Sequence, residues 1–352
     1  MVKPLKTAIV LSLVSSFCSS LSFAQSQCSS LFTSTFALNG RIEVHATAGH
    51  GAQAESYAKT LTEIERLIAP LAIPKETNVQ VGTAFRLSSF NAEDFNIYVG
   101  LRPDRMGKIH PKSSLTTLAH EYGHAIFEKN LMKDLESYKS IRQEALTLET
   151  RVEKAVEEAK SLAYRHSVTF NKEKKALLQT QAIDKALEAK SLGDQVKSLR
   201  GYWSIRGAHH ELFADVIALV ATKDPHAVRD VLIDKSEKLK EHSSSLIGLR
   251  DFTDGRHHLN RKTWEKEHPL FTGLFGDIYY AFLPARWELW NLTKNKIKSE
   301  NYRKELPLKV FQILEKNLSE SFAKDPADIG TNGFKDIKRM NEQLIEDFRR
   351  EL

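Results

Sequence analysis

Residues 41–46 (RIEVHA) alternate apolar and polar side chains with the period of a strand, and residues 52–68 then change to helical spacing up to the break at Pro70. Extended segments follow at 79–88 and 95–101. In the second, Phe95, Ile97, Val99 and Leu101 fall on one face and Asn96, Tyr98 and Gly100 on the other, the pattern of a half-buried strand, which Pro103 ends. From about Leu131 to Arg200 the chain is rich in Lys, Glu, Ala and Leu with almost no Gly or Pro, a composition that favours long helices. A helical hairpin turning near 166–171 is expected there. The segment reads first as a solvated, coiled-coil-like insertion and second as a partner-binding arm. After Ile205 the pattern stays mostly helical, punctuated at Pro225, Gly255, Pro269, Pro284, Pro307 and Pro326. These elements predict an α+β, mostly helical chain: a small sheet and helices in 25–130, a helical insertion over 131–204, and a helical part over 205–352.

Residues 1–24 stand apart from this pattern. Lys3 and Lys6 open the chain, residues 7–14 form a short apolar run, and Ser22-Phe23-Ala24 is a small-x-small cleavage site, so a secretory signal peptide and a secreted or periplasmic protein are expected. Ser15, Ser16, Ser19 and Ser20 interrupt the apolar run short of a bilayer span, which argues against stable membrane insertion after cleavage. Cleavage leaves Cys28 alone and no internal disulfide, and neither Cys18 after Phe17 nor Cys28 after Gln27 has the small and apolar neighbours of a lipid-modified cysteine. At 41% hydrophobic and 27% charged residues the composition is that of a globular protein. Loss of the signal, with two lysines and no acids, lowers the formal charge from +6 to +4. Charges of both signs are interspersed and no groove-binding motif accompanies them, so a nucleic-acid partner is not expected.

The chemistry is concentrated in His120-Glu121-Tyr122-Gly123-His124, an H-E-x-x-H motif. At 3.6 residues per turn its histidines lie about 40° apart on one helix face, so both imidazoles can point at one ion. Ser114 is a candidate cap for this helix. Leu115, Leu118, Ala119, Tyr122 and Ile126 make an apolar stripe nearly opposite the histidines, which predicts a helix that packs on the sheet and faces a cleft with its histidines. Zinc needs a third protein ligand and an open position for water. A third histidine six residues on is excluded, because that residue is Asn130. The better candidate is Glu211-Leu212-Phe213-Ala214-Asp215 in the apolar run from Ile205 to Val220. Glu211 and Asp215 share a helix face, so either can bind metal while the other accepts a hydrogen bond from a ligand histidine. Ala208, Ala214 and Ala218 flank that face and would permit a close helix approach. His209 and His210 point away from it on the helical wheel and rank lower as ligands, and Glu128, one turn past His124, reads as a supporting carboxylate.

His120, Glu121 and His124, followed on a later helix by Glu211 and Asp215 with Ala214 between, resemble the gluzincin signature of thermolysin and the CAAX-type proteases. The resemblance implies a zincin-like fold, Zn2+ held by His120, His124 and Glu211, and Asp215 bonded to a ligand histidine. The 87 positions from His124 to Glu211 far exceed the spacing in thermolysin. The ion would bring water to a pKa of about 7, and Glu121 would act as general base toward it. The substrate would be a peptide or protein. No aminopeptidase-type motif lies upstream, which favours an endopeptidase. His257 and His258 are the leading candidates for an oxyanion donor, with Tyr279 and Tyr280 behind them. The strand at 95–101 is either an edge that pairs with extended substrate or a wholly paired internal strand. Two rival readings are a catalytically silent binding protein of the same fold, and a zinc hydrolase of a non-peptide amide or cell-wall substrate.

Overall fold

The computed structural model describes residues 33–46, 51–82, 88–100, 111–235, 250–253, 281–323 and 333–352. Residues 1–24, where a signal peptide is expected, lie outside them together with Cys18, as do Cys28, His257, His258, Tyr279 and Tyr280. The chain is a mostly helical α+β protein with a small N-terminal mixed sheet.

Five strands, β1 (Thr33–Ala37), β2 (Ile42–Ala46), β3 (Asn78–Gly82), β4 (Ser89–Asn91) and β5 (Asn96–Gly100), stand in the order β1-β2-β3-β5-β4. The central pairs β2–β3 and β3–β5 are parallel, and the outer pairs β1–β2 and β4–β5 are antiparallel. The register aligns Ile42 with Val79 and Ile97, and Val44 with Val81 and Val99. All six are fully buried, so one ladder of branched side chains forms the sheet side of the core, and a slip by one residue would turn all of them outward. β5 therefore lies inside the sheet, paired on both sides, and the expectation of a substrate-pairing edge at 95–101 is corrected. The edges are β1 and β4, each antiparallel to its neighbour, and β4 is the one beside β5.

Helix α1 (Gly51–Leu67) packs on β1 and β2, and α2 (Pro111–Asp134), which carries the H-E-x-x-H motif, packs on β4, β5 and α1. α2 starts at Pro111, not after Ser114, since proline suits the first helical position, where no backbone N–H is needed. Leu118, Ala119, Tyr122 and Ile126 are fully buried as the stripe requires. The Tyr122 hydroxyl donates to Glu65 at 2.7 Å and accepts from Arg41 at 3.3 Å, while Arg41 and Glu65 pair at 3.0 Å. That triangle ties α2 to α1 and to the start of β2.

Helix α3 (Glu136–Val168) is followed, after three residues, by the 51-residue helix α4 (Lys172–Thr222). Asn171 caps α4, its Oδ1 accepting from the Lys174 amide at 2.9 Å. Residues 139–200 form one compact unit, and 29–138 together with 201–352 form the other. Within the first, buried Ala145, Leu148, Val152, Ala155 and Ala159 repeat at alternating spacings of three and four, the seam of a coiled coil, and Lys185 reaches Glu158 across it at 2.9 Å. The change of composition near 204 does not break the helix. Gly193, Gly201 and Gly207 lie inside α4, each at a cost of about 1 kcal/mol, set against the burial of nearly every residue from Ala208 to Val220. Lys223, at φ +60°, closes α4 ahead of Pro225.

Of the second unit's remaining helices, α5 (Ala227–Lys235) packs on α2, and α6 (Leu283–Thr293) and α7 (Glu300–Phe322) both pack on α8 (Gly333–Glu351). Asn341 fastens α8 to the start of α6, donating to the Ala281 carbonyl at 2.6 Å and accepting from the Ala285 amide at 3.2 Å.

α2 and α4 meet closely at Gly123. A Cβ on Gly123 would lie 2.7 Å from the Ala214 Cα and 3.2 Å from the Ile217 Cβ, so only glycine fits at this crossing. Gly123→Ala is expected to lower stability by about 1–3 kcal/mol through overpacking, although alanine is the better helix former by about 1 kcal/mol. Urea unfolding reads the sign, and equal or greater stability would mean that the helices do not meet this closely.

Candidate metal centre

The Gly123–Ala214 crossing brings the neighbouring turns of α2 and α4 together. His120 and His124 project from α2 with their Nε2 atoms 3.1 Å apart. From α4, Glu211 places Oε2 3.3 Å from His120 Nε2 and Oε1 3.6 Å from His124 Nε2. His120, His124 and Glu211 thus form a group, with ligand atoms all within 4.8 Å of one another, that can hold a metal ion. The residues fit such an ion: bonds of 2.0–2.2 Å to a tetrahedral metal put ligand atoms about 3.3–3.6 Å apart, close to the spacings seen.

Asp215, one turn beyond Glu211, is fully buried and lies 3.1 Å from His120 Nδ1. The Nδ1–H donates to this carboxylate, which leaves Nε2 as the nitrogen turned toward Glu211. Of the two arrangements open from sequence, the one with Glu211 in the group and Asp215 behind the histidine is the one adopted.

Two arginines that no pattern in the sequence marks hold this carboxylate pair. Arg250 donates from Nη2 to Asp215 at 2.5 Å and sets Nη1 3.1 Å from Glu211 Oε2. Its Nη2 also lies 3.1–3.2 Å from both ring nitrogens of His120. Arg286, fully buried on α6, pairs with the other Asp215 oxygen at 2.8 Å. Arg250 is itself positioned by its neighbour Asp251, which accepts from Arg229 at 2.5 Å, from the Thr253 amide at 2.8 Å and from His226 at 3.0 Å. Two acids on one face of a buried helix signal that cations must lie opposite. Nothing along the chain says which of 51 lysines and arginines they are.

These charges set the protonation of the group. Burial opposes ionisation of Asp215 and Glu211, but Arg250, with Arg286 at Asp215, overcomes it: Asp215 sits well below the usual carboxylate range and Glu211 falls to about 2. Burial and Arg250 press His120 toward neutrality, yet its bonds to Asp215 and Glu211 raise it to about 9. Burial holds His124 far below the ordinary histidine value.

Glu121 is buried on the same helix with 7% of its surface exposed. Glu128 lies behind His124, fully buried, accepting from Arg206 at 2.7 Å and from the Tyr138 hydroxyl at 2.7 Å. His210 stands 3.3 Å from Glu128, and its ring stacks on His124 at 5.6 Å. Burial, with Arg206 nearby, lowers it to about 4 and keeps it neutral. His209 bonds the Ile205 carbonyl and Asn317 on α7 at 2.8 and 3.0 Å. Neither histidine belongs to the metal group.

Asp215→Ala removes the carboxylate that the buried Arg250 and Arg286 share and is expected to cost about 3–5 kcal/mol in denaturant unfolding. The lowered carboxyl values also set an acid limit. The stabilisation from Glu211 and Asp215 is complete above about pH 4.5 and is lost as pH falls toward 2 and below. Acid titration of the fold should therefore begin at higher pH in the Asp215→Ala protein than in the parent.

Comparison of the chain with protein-family models, with curated proteins and with solved structures finds no match, so the functional reading rests on the residues at this centre.

Proposed function

We propose that this protein is an exported zinc-dependent peptidase. The observation that carries the reading is the convergence of two Nε2 atoms and one carboxylate at 3.1–3.6 Å, from helices far apart along the chain. His120, His124 and Glu211 would hold the ion, a nitrogen and oxygen donor set that suits Zn2+. Such an ion, when bound, lowers the pKa of water toward neutrality and polarises a scissile carbonyl.

The chain's own residues supply the rest. Asp215 fixes the His120 ring through Nδ1, and Arg250 and Arg286 keep Asp215 ionised for that purpose. Glu121, next to a ligand in sequence yet outside the ligand group, serves as general base, taking a proton from water and delivering it to the leaving amine. A purely structural site has no use for a carboxylate at that position, which favours an enzyme over a silent binding protein. The antiparallel edge strand β4 lies against the helix that carries the motif, and an extended substrate would add to its outer edge by main-chain pairing. That geometry supports a peptide as substrate. The N-terminal signal would place the activity outside the cytoplasm.

Glu121→Gln is expected to retain one equivalent of zinc by metal analysis while losing at least about 100-fold in hydrolysis of an unfolded protein. Unchanged turnover would remove Glu121 from the mechanism. Glu211→Ala should bind zinc far more weakly than the parent. Stoichiometric zinc in that variant would assign the third ligand elsewhere.

A further inference from the structure

The end of the α3–α4 hairpin is unlike the rest of it. Along the hairpin, apolar residues turn inward to the seam, whereas at the tip they turn outward: Tyr164 is 70% exposed, Val168 53%, Phe170 99% and Leu177 58%. Phe170 sits in the three-residue turn itself. Tyr164 and Leu177 lie four and five residues back from the helix ends at Val168 and Lys172, about 6–8 Å at 1.5 Å per residue. They stand within about 3 Å of the same level on the two helices, given the Glu158–Lys185 pair lower down.

Basic side chains surround this apolar end. Residues 164–177 hold Arg165, Lys172, Lys174 and Lys175 against a single acid, Glu173. Among the described residues none of the four cations is paired with a carboxylate, in contrast to Lys185 further along α4, which binds two. The exposed phenylalanine is costly to leave in water, and the unpaired cations around it are available to an anionic surface.

We propose that the hairpin tip docks on an anionic phospholipid bilayer surface, with Phe170 entering the boundary between headgroups and acyl chains and the four basic side chains resting on lipid phosphates. Three features select this occupant. The apolar end is about as deep as the 5–10 Å to which interfacial segments bury themselves. Lysine and arginine can lay their stems along the apolar boundary while their charges stay at headgroup level. A helical protein partner would instead require an apolar stripe along the arm, and between Leu177 and the isolated Leu187 the exposed positions are Gln179, Thr180, Gln181 and Asp184. No helix among the described residues is long and apolar enough to cross a membrane, so the contact is peripheral and independent of the metal centre.

The test is flotation of the full chain with vesicles of phosphatidylcholine alone or with 30% phosphatidylglycerol. Binding is expected to the anionic vesicles only and to weaken as salt rises from 0.05 to 0.5 M. Phe170→Ser should weaken it by about tenfold or more, the loss on withdrawing one phenylalanine from an apolar environment, and so should the pair Lys172→Glu and Lys174→Glu. These side chains are exposed, so circular dichroism spectra should match the parent and exclude misfolding as the cause. No vesicle binding, equal binding to neutral vesicles, or binding that survives both variants would overturn the proposal. So would a concentration-dependent dimer abolished by Phe170→Ser, which would assign the tip to a second copy of the chain.

Discussion

Two helices cross at Gly123 and Ala214 with no room for even a methyl group on the glycine, and the arrangement of the metal centre follows from that contact. A histidine one turn before the crossing and another one residue after it reach the carboxylate of Glu211, three residues before Ala214, at 3.3 and 3.6 Å. Had either position carried a larger residue, the helix axes would separate and the ligand atoms with them. Close approach of this kind is what small residues make possible at helix crossings. The remaining contacts hold the pair in place: the sheet ladder and the Tyr122–Glu65–Arg41 triangle on one side of α2, Phe127 and Phe213 between α2 and α4 at 5.1 Å, and the Asn317–His209 bond from α7.

Bringing acids and imidazoles so close in a buried place requires countercharge. Asp215 draws on two arginines from separate segments of the chain, and Glu128 on a third, Arg206. Buried ion pairs of this sort add little net stability compared with apolar packing, but breaking one strands a charge. Their effect here is to hold orientation. Asp215 cannot turn away from His120 without giving up its bonds to Arg250 and Arg286, so the orientation of the histidine is held by charges that never touch the ligand atoms of His124.

The local pattern foretold much of this. The strands at 42–46 and 96–100, the helix from 51, and the long helices meeting at a turn inside 166–171 all follow from period and composition. His120 and His124 were legible, with Glu211 and Asp215 as alternatives for the third position, because holding a metal needs particular residue types at helical spacing. The readings that changed depend on neighbours. A strand's pattern does not say whether both of its edges are paired, so β5 proved internal. A proline can start α2 ahead of the serine that looked like its cap.

The amino-acid sequence alone thus determined which residues could bind a metal and the periods that make their helices, since both are short-range properties of residue type and spacing. Only the tertiary structure decided that Glu211 rather than Asp215 joins the group, that Arg250 and Arg286 balance it, and that Gly123 is what lets the helices meet. Those choices arise from contacts between residues 35 to 130 positions apart, where local propensity carries no information and mutual packing and charge settle the outcome.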